Sequence, residues 1–336
     1  VQTTSLLPII AKACAVAAPV AIAVSLVAGP AVAAPLHTST SSSTSVTTAT
    51  SAHHTVNRAA RTTSGGTAVS RLDRRAEQRN EATVRHLFRC AFRSPASAKA
   101  RAAARTAVAT GAVAHGATSA SGPSALLAEF TADRSRVPGA HAVIKHIAGD
   151  ADLVAVHWQI TAKPKDERTG DAAVDLFRMR DGRISEWWAL RQTVPTGTPA
   201  SGNTNSMFSD LYPAAKRDRH LTERQEEHNR VLAVTAYDRL FRDHDVSVLD
   251  EKFDPAYLQH NSVAANGTAA LKQFFAGSAA QSLPKQESVI SLADGDLVWT
   301  FSKPVGAKAD APFGAADLFR VDDNLIREHW DVVPTS

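Results

Sequence analysis

His329 and Asp331 stand two residues apart in the stretch Leu325–Val332, which reads as the last strand of the chain. Strand side chains alternate between faces, so this pair shares one face and Glu328 and Trp330 share the other. A carboxylate beside an imidazole can fix its tautomer and raise its basicity, which suits proton abstraction next to a carbonyl. If both are instead exposed strand-end polar residues, no chemistry follows. His260, followed by Asn261, is a second candidate, as a helper to the pair or as a structural histidine. A zinc site from His260, His329 and Asp331 has suitable ligand types, but no close-spaced ligand motif supports it, and no metal or cofactor is expected.

Those residues close the second of two related segments. Ala173–Ala189 and Ala315–Asp331 align without gaps at 9 of 17 positions, sharing an Ala, Asp-Leu-Phe-Arg, an Asp, an Ile, a Glu and a Trp. Self-similarity at a domain-length offset indicates tandem duplication and not a solenoid. Asp152-Leu153-Val154 answers Asp296-Leu297-Val298, and His115, Gly122, Leu126 and Phe130 answer His260, Gly267, Leu271 and Phe275. The first segment ends Glu-Trp-Trp-Ala where the second ends Glu-His-Trp-Asp, so the candidate dyad occurs once. Asp317, which recurs as Asp175, is ambiguous. A two-residue turn pairs it with Trp330, a three-residue turn faces it to His329, and a one-residue slip flips every side chain. Its presence in both copies points to a structural role.

The elements that must hold these residues follow from pattern. Thr222-Glu223-Arg224-Gln225 has capping-box spacing, with Leu221 as a staple, before a helix of about five turns. Asp245–Lys252 reads as a short helix, Tyr257–His260 as a short strand, and Thr268–Phe275 as a helix capped by Thr268. Strands are expected at Glu287–Leu292, Leu297–Lys303, Ala315–Val321 and Leu325–Val332. The first copy repeats the order, and Asp181-Gly182 marks a type I′ hairpin. Helices followed by antiparallel strands give an α+β fold.

The run Tyr257-Leu258-Gln259-His260-Asn261, then Gly267 before Leu271–Phe275, Asp294–Val298, Ala316–Arg320 and Glu328–Asp331 resembles the SnoaL-like polyketide cyclases, of the nuclear transport factor 2-like and ketosteroid isomerase-like superfamily. The resemblance covers nearly all of residues 222–334, and over 80–195 it rests mainly on Asp152–Trp188. It implies two tandem cone-shaped α+β domains, each a curved, mainly antiparallel sheet wrapped around N-terminal helices. It implies a small apolar carbonyl substrate and a cofactor-independent cyclisation or isomerisation, with His329, Asp331 and His260 catalytic. Pocket residues would be Asn261, Tyr257, Asp317, Phe319 and Trp330, with His157 at a position that often carries His in the family and is Phe301 in the second copy. Pairing of the two copies through their sheets, or of two chains, is a further implication. The alternative is a non-catalytic ligand-binding or assembly module.

Residues 1–35 read as a secretory signal peptide with an Ala-Val-Ala cleavage site at 31–33, so the protein is expected outside the cytoplasm. Residues 36–75 read as a disordered Ser/Thr-rich linker. The first domain is then 76–195, a linker 196–221, and the second domain 222–336. After cleavage Cys90 alone would remain, which excludes an intramolecular disulfide. The net charge of +4 hides a segment, residues 58–105, with 12 Lys and Arg against 3 Asp and Glu. Such a segment could be weakly attracted to an anionic cell envelope. No motif supports nucleic-acid binding.

Overall fold

A computed structural model of the chain describes residues 66–115, 121–213, 221–277, 280 and 282–334. The expected signal peptide and most of the Ser/Thr-rich linker lie outside the described residues. Helix α1 (Gly66–Ala91) starts within the stretch expected to be linker, because its apolar positions Val84, Leu87, Phe88 and Ala91 give it one fully buried face.

Two units of the same design follow. In the first, α1, α2 (Ala98–Ala107) and α3 (Gly122–Arg136) accompany strands β1 (Val108–His115), β2 (His141–Asp150), β3 (Leu153–Thr161), β4 (Asp171–Arg180) and β5 (Arg183–Thr193). In the second, α4 (Glu223–Tyr237), α5 (Val248–Lys252) and α6 (Thr268–Ala276) accompany β6 (Phe253–Gln259), β7 (Gln286–Asp294), β8 (Leu297–Pro304), β9 (Ala315–Asp322) and β10 (Leu325–Val332). The sheet orders correspond: β1-β5-β4-β3-β2 and β6-β10-β9-β8-β7. Only the first pairing of each sheet is parallel. The α+β expectation therefore holds as two open, mixed, mainly antiparallel sheets.

Local chemistry accounts for the boundaries. Thr222 and Gln225 form the reciprocal capping box of α4, which runs on into a π-helical turn, Asp238–Arg242. Gly267, and not Thr268, is the N-cap of α6. Its φ is +87°, and a Cβ there would sit 3.2 Å from the Pro255 carbonyl oxygen. In α3 the N-cap is Ser121, and the next residue, Gly122, has a φ of +75°, where a Cβ would lie 2.6 Å from the Thr110 oxygen. Both hairpins before the last strands turn on two residues of positive φ, Asp181-Gly182 and Asp323-Asn324, as type I′ requires.

Alternation sorts the side chains into three apolar clusters. One lies between the first sheet and its helices and includes Phe88, Phe92, Phe130, Trp158 and Trp187. Another lies between the second sheet and its helices and includes Tyr237, Tyr257, Phe275 and Phe319. The third joins the opposite faces of both sheets, bringing Val174, Leu176 and Trp188 together with Trp299, Phe301, Leu318 and Trp330. Met207 and Phe208, from the connection between the copies, are buried in it, so that part of the expected linker is packed structure.

Candidate functional site

A turn and a bulge set the register that builds the site. Val321 pairs with Ile326 across the two-residue turn, then the register slips by one so that Arg320 pairs with Glu328. Asp317 thereby falls opposite Asp331 and Phe319 opposite His329. Neither register weighed from the sequence is the observed one. The turn has two residues, and the bulge supplies the extra residue that turns Asp317 to the helix side of the sheet. The first copy carries the same slip, with Met179 opposite Ile184 and Arg178 opposite Glu186.

On that inner face His329 Nε2 is 3.0 Å from Asp317 Oδ1 and 4.0 Å from Asp331 Oδ2. His329 Nδ1 is 2.9 Å from the Tyr257 hydroxyl. The Phe319 ring lies flat on the imidazole, 4.6 Å between centroids and 9° between planes. Asn261 donates its amide to Asp331 Oδ1. Thr300 on β8 sits opposite Asp317. Two buried atoms here, Asp317 Oδ2 and Thr300 Oγ1, have no hydrogen-bond partner. Such atoms are costly to leave unpaired and mark either strain or function.

Burial governs the electrostatics. It raises Asp317 to about 8 and lowers His329 to about 4, with the Asp331 charge opposing that fall. Together these leave the contact pair neutral, with the proton on Asp317. Asp331 is raised to about 6, chiefly by burial, while His329 and the Asn261 amide pull it down. Its side chain is 10 % exposed against 5 % for each of the other two, so it is the most accessible of the three. Tyr257 and Tyr237 are pushed well above the usual phenol range by burial and by the nearby Asp317 and Asp331 charges.

Six of the sequence candidates are thus brought together: His329, Asp331, Asp317, Tyr257, Asn261 and Phe319. Three are not. Trp330 points into the cluster between the sheets, and His260 stacks on it at 4.7 Å while contacting Glu328 at 2.9 Å. Residues adjacent to the inner-facing ones necessarily point to the other face. His157 also lies on the inter-sheet side, 3.0 Å from His146 and stacked on Phe208. The zinc set containing His260 is therefore not assembled. Asp317 takes its place, with one donor atom each from Asp317, His329 and Asp331 within 4.8 Å of one another.

What repeats between the copies is a framework. Arg320 bonds Asp296 at 2.7 Å and Glu328 at 3.1 Å. Arg178 contacts Asp152 at 2.9 Å and Glu186 at 3.3 Å. His115 stacks on Trp188 and contacts Glu186 at 2.8 Å, as His260 does with Trp330 and Glu328. The recurrence of Asp, Arg, Glu, His and Trp in both segments was the signal that these residues are structural.

The first copy fills the place of the site. Trp187 and Ala189 stand where His329 and Asp331 do, and Trp158 where Ser302 does. Asp175, the counterpart of Asp317, accepts from Trp158 Nε1 at 2.7 Å and from Arg191 Nη1 at 2.7 Å. Arg191 also holds Asp133 at 3.0 Å and lies over the Trp158 ring at 5.0 Å. Its counterpart Val333 carries no such charge. Arg191, Trp158 and Thr300 escaped the sequence reading because the two copies have no like residue at these positions.

Residues 84–187 match the family model of the SnoaL-like domain. The match falls on the first copy, whereas the sequence resemblance is strongest in the second. Residues 84–187 are a SnoaL-like domain, and the second sheet is consistent with a second copy in tandem. Among solved structures, the chain is similar to a proposed isomerase of the SnoaL-like family from Agrobacterium tumefaciens, at 16% identity over 34% of this chain and 97% of that one, TM-score 0.29. It is similar to wild-type IdmH, a proposed polyketide cyclase from Streptomyces antibioticus, at 23% identity over 34% and 94%, TM-score 0.27. A proposed SnoaL-like polyketide cyclase from Jannaschia is 21% identical over 35% and 88%, TM-score 0.29. No curated protein matches the chain.

Proposed function

We propose that this chain, a SnoaL-like domain followed by a second unit of the same design, uses the interior of the second unit for cofactor-independent acid/base chemistry on a small apolar carbonyl compound. The observation that carries the reading is the contact set of Asp317, His329 and Asp331, two carboxylates pushed to different affinities for a proton beside the same imidazole nitrogen, Nε2. Separated titrations of that kind mark division of labour between acid and base. Asp331, raised to about 6, is ionised at neutral pH yet basic enough to take a proton from a carbon next to the carbonyl. Asp317, raised to about 8, keeps its proton and offers a hydrogen bond to the enolate oxygen that develops. His329 orients Asp317 and is itself oriented by Tyr257 through its other nitrogen. Return of the proton to another carbon gives isomerisation, and attack of the enolate on a second carbonyl gives aldol-type ring closure. The first copy serves as support, paired with the second through the inter-sheet cluster.

The test is exchange of α-protons for deuterium in a panel of aryl ketones and 1,3-dicarbonyl compounds, followed by NMR. Wild type should accelerate exchange for at least one member. Asp331→Asn should lose about 10²–10⁴-fold, the usual contribution of a general base. An undiminished rate in Asp331→Asn removes the assignment, and loss of exchange in folded Arg191 or Trp158 variants, with Asp331→Asn unaffected, would place the chemistry in the first copy instead.

A further inference from the structure

The outer surface of the first copy differs from that of the second as sharply as its interior does. Between Ala82 and Ala128 there is no Asp or Glu, while Arg85, Arg89, Arg93, Lys99, Arg101 and Arg105 all fall there. Their side of α1 is narrow. At about 100° per residue, Arg75, Arg79 and Arg89 lie within about 80° of one another around the axis of α1, and Arg93 follows in the turn just past its end. All four are exposed and make no ion pair among the described residues. The acidic residues of α1 are turned the other way. Glu77 accepts from the Ala151 amide at 2.9 Å, and Glu81 packs against Gly149, both at the β2–β3 turn. α1 therefore sets Glu77 and Glu81 against the protein and Arg75, Arg79 and Arg89 toward solvent, while Arg74 is tied to the Leu221 carbonyl and to Glu226. Arg101 and Arg105 extend the exposed charge along α2, and Arg183 continues it through its bond to the Arg105 carbonyl. The corresponding helix of the second copy, α4, carries Glu223, Glu226 and Glu227 against Arg224 and Arg230, with Arg230 tied to Glu227.

An unpaired row of arginines costs stability through mutual repulsion unless something anionic meets it. We propose that the solvent face of α1 and α2 is a docking surface for a bilayer rich in anionic phospholipid. Several features favour this occupant. The exposed arginines of this face are spread along α1 and α2, as contacts to many separate phosphates would require. None of the large exposed apolar residues of the described chain lies on it, and none is aromatic, so nothing there is suited to stacking on bases. No described helix is long and apolar enough to cross a membrane, so the contact is adsorption, each arginine adding an increment that salt screens. The first copy would then hold the chain at the surface while the second keeps its polar interior.

The experiment is co-sedimentation of the full chain with vesicles of phosphatidylcholine alone or with 30 mol% (about one lipid in three) phosphatidylglycerol, at low and high salt. Two variants accompany wild type: Arg75→Gln/Arg79→Gln/Arg89→Gln/Arg93→Gln, and a control in the second copy, Arg224→Gln/Lys285→Gln/Lys308→Gln. Circular dichroism confirms that each is folded. Wild type and the control should bind anionic vesicles and release in salt, and the quadruple variant should bind at least tenfold more weakly, in line with the loss of four surface charges. Equal binding to both vesicle types, or equal binding by the quadruple variant, would assign adsorption to the apolar N-terminal stretch and overturn the proposal. Tighter capture by duplex DNA at matched phosphate concentration would overturn it in favour of a nucleic-acid partner.

Discussion

Two interiors built on one sheet design reach opposite solutions to a buried aspartate. In the first copy Asp175 sits between the Trp158 indole and the Arg191 guanidinium, and aromatic rings fill the rest of the space. In the second, Asp317 meets a neutral imidazole and leaves one oxygen without a partner. The first solution satisfies every group it buries there and has nothing left to offer a ligand. The second keeps unspent hydrogen-bonding capacity where a carbonyl compound could use it.

The comparison breaks most visibly at Arg191. Arg191→Met leaves Asp133, Asp175 and Glu129 without their shared cation, and unpaired buried charge typically costs about 3–5 kcal/mol. Urea denaturation should show that loss, and a change below about 1 kcal/mol would mean that Asp175 does not depend on Arg191. Trp158→Phe keeps most of the packing and removes one donor to Asp175. The expected loss is about 1–3 kcal/mol, the cost of an unsatisfied buried acceptor.

At Asp317 the readout is pH dependence. Its folded pKa is raised to about 8 from 3.8, so the native state holds a proton that the unfolded chain gives up. Stability is therefore present below about pH 4 and lost as pH rises towards 8. His329, lowered to about 4, has the opposite slope below its ordinary value of 6.5, and the two offset each other there. Between pH 6.5 and 8 His329 no longer offsets the Asp317 slope, and the difference from Asp317→Asn cancels the slopes of other raised carboxylates such as Asp175, Glu77 and Glu81. Wild type should lose about 1–2 kcal/mol relative to Asp317→Asn over that interval, and parallel profiles would refute the protonated carboxyl. The smallest effect is expected at His157, held well below 6.5 by burial and by the facing His146, His260 and Lys145. His157→Phe, which installs the residue of the second copy, should change stability by under about 1 kcal/mol at pH 7. Below pH 6.5 the variant should gain on wild type, because the buried neutral imidazole resists the proton that the unfolded chain binds.

Much of this architecture was legible in the residues. The repeated Asp-Leu-Phe-Arg, Ile and Glu positions, the capping box at Thr222 and the turn at Asp181-Gly182 report local geometry, and local geometry is written in adjacent residues. The shared face of His329 and Asp331 follows from strand alternation alone. The place of Asp317 was not legible, because a bulge at Arg327 leaves no distinctive residue and one residue of slip decides the face. His260 and Trp330 were drawn towards the site by their chemistry, although alternation from His329 already put Trp330 on the other side. Arg191 and Trp158 both donate to Asp175 from separate strands, and no spacing rule connects positions 158, 175 and 191.

The central claim is that the second interior holds a proton on Asp317 beside a neutral His329, with Asp331 free to act as base. NMR titration of the carboxyl carbons of Asp317 and Asp331 together with the imidazole nitrogens of His329 tests it most directly. The expected result is a neutral imidazole at pH 6, with Asp331 titrating near 6 and Asp317 near 8. An imidazolium at pH 6 flanked by two ionised carboxylates would contradict it.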